Sequence, residues 1–186
     1  MDDWSIIVRE QAANTLWTLA GSLKPQRIMI AEKIGISQII SMLMSRSEKL
    51  QYVGCKCVIS LVFENLKYQN IILKENCVDH LIRLLKFDKI SSRVTLACIE
   101  TIGALCVDIA HVNNTLAQSI LIDKGAIEIL TNIIENNKIE KEVQIEAAHT
   151  YACLVLNKQN DDLETSLNIN LILNLIKTED LVILNF

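Results

Sequence analysis

Six cysteines and three histidines are the side chains of this chain best suited to hold a metal ion or to act as nucleophiles. Cys55 and Cys57 lie two residues apart, while Cys77, Cys98, Cys106 and Cys153 are scattered. His80, His111 and His149 stand apart from one another, with no Cys-x-x-Cys near them. A zinc site needs ligands that converge in space, and two positions two apart on a helix point in different directions. Four of the six cysteines fall inside apolar helical patterns, so they read as buried free thiols in a reducing compartment rather than a disulfide scaffold. The sequon Asn113-Asn114-Thr115 is then idle, because glycosylation requires secretion.

Acid–base chemistry fares no better. The pairs Asp2-Asp3, Asp161-Asp162 and Glu179-Asp180 read as loop or helix-start residues, where negative charge suits the helix dipole. No Gly-x-Ser-x-Gly, phosphate-binding loop or dinucleotide fingerprint occurs. The expectation is a chain without catalytic residues, cofactor or metal.

The elements that would carry any other function follow from composition. The chain has 186 residues, enough for one domain with a sizeable core. Apolar residues reach 51% but aromatic ones only 4%, so the core is aliphatic. Five glycines and one proline leave too little turn chemistry for a many-stranded sheet, and phased Ile, Leu, Val and Ala favour an all-α protein. A net charge of −4 argues against a nucleic-acid or anionic-membrane binder, whose footprint would be basic. The start "MDDWSII" is no signal peptide. No apolar window reaches about 18 residues, so no membrane insertion is expected. A cytoplasmic location is the corresponding expectation.

The chain repeats itself. "VREQAANTLWTLA" (8–20), "LQYVGCKCVISLV" (50–62), "VTLACIETIGALC" (94–106) and "VQIEAAHTYACLV" (143–155) align at spacings of 42, 44 and 49 residues. The first column reads Val8, Leu50, Val94, Val143, and the fifth is always small: Ala12, Gly54, Cys98, Ala147. The ninth reads Leu16, Val58, Ile102, Tyr151, and the twelfth is always Leu, at 19, 61, 105 and 154. These columns form one helical stripe, and the small fifth position lets a neighbouring helix come close. Between the blocks lie "IGISQIISMLMS" (34–45), "NCVDHLIRLLKF" (76–87) and "KGAIEILTNIIE" (124–135), with "LNINLILNLIK" (167–177) as a weaker fourth copy. Shorter segments, "PQRIMIAEK", "YQNIILKE" and "AQSILIDK", precede the first three. Pro25 suits a first helical turn, and Gly35 and Gly125 suit left-handed caps.

The unit is a short, a medium and a long helix. No such unit buries its apolar faces alone, so units stack. A period near 42 with three helices predicts an all-α, armadillo-type right-handed superhelical solenoid of three-helix repeats. The expected divisions are 4–22 (third helix of a truncated first repeat), 24–65, 67–108, 112–157 and a partial repeat at 160–186. Residues 108–116 and 135–142 are expected as surface loops. Both ends are apolar, with Trp4, Ile6 and Ile7 at one and Leu181 to Phe186 at the other. They are expected to be uncapped and open to self-association, as in a slice of a longer array.

These columns resemble the armadillo family. The opening "MDDWSIIVREQAANTLWTLAGS", with "MLMS" and "LQYVGCKCVISL", is similar to armadillo regions that follow ankyrin repeats in larger scaffolds, strongly over about the first 60 residues. The resemblance implies that the third helix of each unit lines a concave groove for extended peptides. Import receptors of the family carry a Trp and, three residues later, an Asn on that face. The matching positions here are Asn14, Lys56, Glu100 and His149, then Trp17, Ile59, Gly103 and Ala152, so that ladder is absent.

Trp17 is expected on the groove face, rotated away from core positions Leu16 and Leu19. The candidate groove residues are Glu10, Asn14, Trp17, Tyr52, Lys56, Ile59, Phe63, Leu96, Glu100 and His149. Among them Trp17, Tyr52, Ile59, Phe63 and Leu96 make an apolar stripe, a feature that marks interaction sites. The expected function is a non-catalytic scaffold holding a protein or peptide in the groove. The alternative is a structural segment of a longer repeat protein with no partner of its own, with a nuclear-import-type cargo receptor behind both.

Overall fold

The computed structural model describes residues 3–87, 90–107 and 113–155. Among them run ten α-helices and no strand. The first is α1 (Asp3–Ala20), followed by α2 (Lys24–Ile34), α3 (Ile36–Leu43) and α4 (Glu48–Val62). Then come α5 (Leu66–Lys74), α6 (Cys77–Leu85) and α7 (Ser92–Cys106), and finally α8 (Thr115–Asp123), α9 (Ala126–Glu135) and α10 (Lys141–Val155). Two helices of 8–11 residues and one of 15 thus recur three times after a leading helix of 18. The first two of each unit, expected as short and medium and so called by position, do not keep that order of length, α2 being longer than α3.

Local chemistry sets the boundaries. Pro25 sits in the first turn of α2, where its missing N–H costs nothing. Ser47, Asn65 and Asn114 cap α4, α5 and α8 by accepting from the backbone N–H of Leu50, Tyr68 and Ala117. Between the short and medium helices the chain turns through positive φ each time. Gly125 is left-handed at φ 82°, ψ 24°. Gly35 has the same φ but ψ 148°, an extended region open essentially to glycine alone and not the left-handed cap its position suggested. The third such turn is made by Asn76, at φ 55°, ψ 22°.

Long helices form one layer, α1 on α4, α4 on α7 and α7 on α10, with the medium helices packed against their own long helix. The repeat columns are buried in α4, α7 and α10. The small fifth position does what its size allows: a Cβ on Gly54 would lie 3.1 Å from Leu43 Cδ2 and Met42 Cβ of α3. Cys55, Cys57, Cys77, Cys98 and Cys106 are buried free thiols serving as small apolar groups.

In α1 the same columns are not core. Val8, Ala12, Leu16 and Leu19 are all exposed, and Leu19 is 71% exposed where Leu61 is 2%. The reason is geometric. No described helix covers that side of α1, which packs mainly on α2 and α4 and reaches α3 through Arg9, donating to Ser41 Oγ at 2.7 Å.

The two insertions also differ. Residues 136–138 and 140–142 are exposed as expected, with Ile139 half-buried. The end of the other loop is interior instead, because Asn113 and Asn114 are buried. There the Gln69 side chain donates to the carbonyls of Val62, Ala104 and Val107 at 3.1, 3.1 and 2.7 Å. Asn114 Nδ2 donates to Gln69 Oε1 at 2.8 Å. This network satisfies backbone carbonyls at the ends of α4 and α7, which a buried loop must do. Gln118 repeats the device one unit on, donating to the Cys153 carbonyl at 2.6 Å. Residues 156–186, with the expected partial repeat and the apolar chain end, lie outside the described residues.

Candidate functional site

The face offered by the long helices is a row of partly exposed side chains crossing from α1 to α10. At its centre Tyr52 of α4 lies under the Arg93 guanidinium of α7, 3.9 Å from the ring centroid, and Lys56 Nζ stands 5.7 Å from the same ring. Lys56 also pairs with Glu100 of α7, so Tyr52, Lys56, Arg93 and Glu100 form one cluster across two repeats. Four residues along a helix is just over one turn, so Tyr52 and Lys56 lie together, as do Leu96 and Glu100.

Next to this cluster an open cleft of about 470 Å³ runs between the first turns of α7 and α10. Ser91, Ser92, Arg93, Leu96, Glu140 and Val143 line it, with Glu142 at the α10 side. Ser92 Oγ donates to Glu140 Oε1 at 2.8 Å across its mouth. The cleft therefore has an aliphatic floor, one basic wall and one acidic wall.

Toward the chain start, Glu10 of α1 meets Lys49 of α4 at 3.4 Å. A hydrogen bond from Ser47, with Lys49 beside it, holds the Glu10 carboxyl below its ordinary range against a smaller effect of burial. Trp17 is half-buried against the core, with the Arg27 guanidinium 5.1 Å from its ring. Phe63 is exposed and carries Lys24 Nζ at 4.4 Å. Arg27 and Lys24 stand three apart on α2, so Trp17 and Phe63 belong to a second cluster at that helix.

The stripe expected to be apolar is thus not bare. Three of its aromatic rings lie within cation–π reach of a Lys or Arg, and Trp17, Tyr52, Ile59 and Leu96 are only half exposed. The cations are Lys24 and Arg27 of α2 and Arg93 in the first turn of α7, one turn ahead of the candidate Leu96 and two ahead of Glu100 on that helix. A basic residue one helix away from each aromatic was the signal available. At the far end, exposed His149 lies 3.6 Å from Glu146 and 3.9 Å from the Cys153 sulfur of its own helix, apart from the central cluster. Asn14 is exposed on α1.

The site holds no poised nucleophile. Cys55 and Cys98 sulfurs approach to 3.7 Å in the interior, where burial pushes the neighbouring Cys57 thiol up to about 12 and raises Cys77 and Cys106 as well. Among the described residues, no three His, Cys, Asp or Glu side chains gather as a metal site would require. No described helix is long and apolar enough to cross a membrane. What the row can do is hold a chain non-covalently, through ring faces, a lysine, an arginine and carboxylates.

No family model matches the sequence. Over 84 residues the chain is 39% identical to the ankyrin and armadillo repeat-containing protein of Mus musculus, a stretch covering 45% of this chain and 6% of that protein. In three dimensions it is similar to an engineered protein of known crystal structure. The TM-score is 0.65 at 18% identity, over 94% of this chain and 70% of that one. The likeness is one of fold alone: a solenoid of stacked helices.

Proposed function

Starting from a solenoid of this type, we propose that the chain is a non-catalytic interaction scaffold that holds an extended peptide along the row of long helices. The observation that carries the reading is the cluster Tyr52, Lys56, Arg93 and Glu100, continuous through Arg93 and Leu96 with the cleft between α7 and α10. A partly exposed aromatic ring with Arg beside it is the kind of anchor that dominates interfaces. The cleft accepts an aliphatic side chain on Leu96, and Glu140 and Glu142 suit a basic residue beside it. The peptide backbone would be met by single polar groups, Lys56 and Glu100 among them, and not by a repeated asparagine code.

A displayed library of random peptides selected on the chain tests this. The enriched peptides should favour an aliphatic residue next to Lys or Arg. Their affinity, measured by fluorescence polarisation, should fall at least tenfold in Arg93→Glu or Tyr52→Ala, about 1.4 kcal/mol or more. Circular dichroism should remain that of the wild type, because both side chains are partly exposed. Failure to enrich any peptide, or binding indifferent to both substitutions, would leave the chain as a structural segment.

A further inference from the structure

Cys55 of α4 and Cys98 of α7 meet in the interior, behind the row of long helices. Their sulfurs stand 3.7 Å apart, and both side chains are fully buried. The meeting follows from the repeat. Cys98 occupies the small fifth column of its block, and Cys55 follows Gly54 of that same column. Two long helices that pack directly on each other therefore bring one thiol each to the contact. Cys57, two residues from Cys55 on the same helix, points elsewhere. A disulfide needs its sulfurs about 2.0 Å apart, so the gap left to close is about 1.7 Å. Tyr52 and Lys56 flank Cys55 on α4, and Leu96 and Glu100 flank Cys98 on α7. A bond here would fix the separation of the two helices that carry the central cluster.

We propose that this pair is an oxidation site, at which a peroxide joins α4 to α7 through a Cys55–Cys98 disulfide when the two helices part and close again. One sulfur, as its thiolate, attacks a peroxide oxygen. The S–O bond forms, the O–O bond breaks, and the leaving hydroxide takes up the thiol's proton as water. The second sulfur then displaces hydroxide from that sulfenic acid, forming the S–S bond, and its own proton completes a second water. Two thiols are oxidised and one peroxide is reduced to two waters. The closed stack is protected from this step. Neither sulfur is exposed, and hydrogen bonding to Cys55, together with burial, holds the Cys98 thiol well above its ordinary range. Opening between neighbouring repeats admits the oxidant, and reclosure returns the sulfurs to contact. Oxidation thereby seals the contact it found open. The bridge spans 43 positions and restricts the opened and unfolded chain, so the oxidised form parts less often.

The test treats the whole chain with hydrogen peroxide, with and without urea below the unfolding transition, and maps the alkylated digest by mass spectrometry. One peptide pair joined through Cys55 and Cys98 should appear, lighter by two hydrogens, and it should form faster in urea. The bridged chain should unfold at a higher urea midpoint, and dithiothreitol should return that midpoint to its starting value. Cys98→Ala should lose both the bridge and the rise in midpoint. Cys153→Ala, at a partly exposed thiol outside the pair, should keep both. The wild-type map is read independently of how Cys98→Ala folds. Cys55 and Cys98 recovered unbridged, or joined to Cys57, Cys77 or Cys106 instead, overturn the proposal. So does a bridge that urea does not hasten, or one that leaves the midpoint unchanged. No readout here depends on the peptide row, so the two proposals stand or fail separately.

Discussion

α1 and α4 carry the same column pattern and meet opposite fates. Leu50, Gly54, Val58 and Leu61 are interior, while Val8, Ala12, Leu16 and Leu19 face outward. Intrinsic helix formation does not separate them, since both are helices of full length. The difference lies in what is packed against them: α3 covers α4, and no described element covers the matching side of α1. Burial in a stacked repeat is thus a property of the neighbour as much as of the residue, as nearest-neighbour stability in such folds requires.

The contrast can be broken first at the twelfth column. Leu61→Ala should cost about 2–5 kcal/mol in urea unfolding, as large-to-small changes in a packed core do. Leu19→Ala should stay within about 0.5 kcal/mol, as for an exposed site. Similar losses at both would mean that α1 is covered in solution. The fifth column sharpens the point. A valine in place of Gly54 must displace Leu43 and Met42, and overpacking of this kind costs about 1–3 kcal/mol. Ala12→Val should be nearly silent in the same measurement.

A smaller effect is expected across the row of long helices. Lys56 and Glu100 are partly exposed, so Glu100→Gln should change stability by no more than about 1 kcal/mol, less in high salt. The smallest joins α1 to α4. Glu10 is held below its ordinary value of 4.5 in the folded chain, so the folded state favours its charged form. That contribution is present above pH 4.5 and is lost as pH falls through the lower folded value. In an acid titration of stability, Glu10→Gln should remove this component and leave the neutral-pH side little changed.

The periodicity made the solenoid legible before any coordinates. Pro25 in a first turn, the close approach at Gly54 and the buried thiols were all readable from type and spacing. The exposure of Leu19 was not, because a column pattern records what a position suits and not whether the partner helix is present. Nor was the left-handed turn at Asn76, where an asparagine replaces the glycine used by its neighbours. The interior polar network was missed as well. Gln69 and Gln118 recur two residues before an apolar pair in their helices, yet only the packing shows them holding the carbonyl ends of long helices. For the candidate row, sequence placed Tyr52, Lys56 and Glu100 on one face. It did not bring Arg93 onto Tyr52, because that contact crosses between repeats 41 positions apart.

Hydrogen exchange of the whole chain in dilute solution tests the contrast between covered and uncovered long helices most directly. Amides of α1 should exchange through local opening, well before those of α4 and α7, which should wait for the stack itself to open. Exchange in α1 as slow as in α4 at the same dilution would contradict the account, because it would show the outer face of α1 to be covered within a single chain.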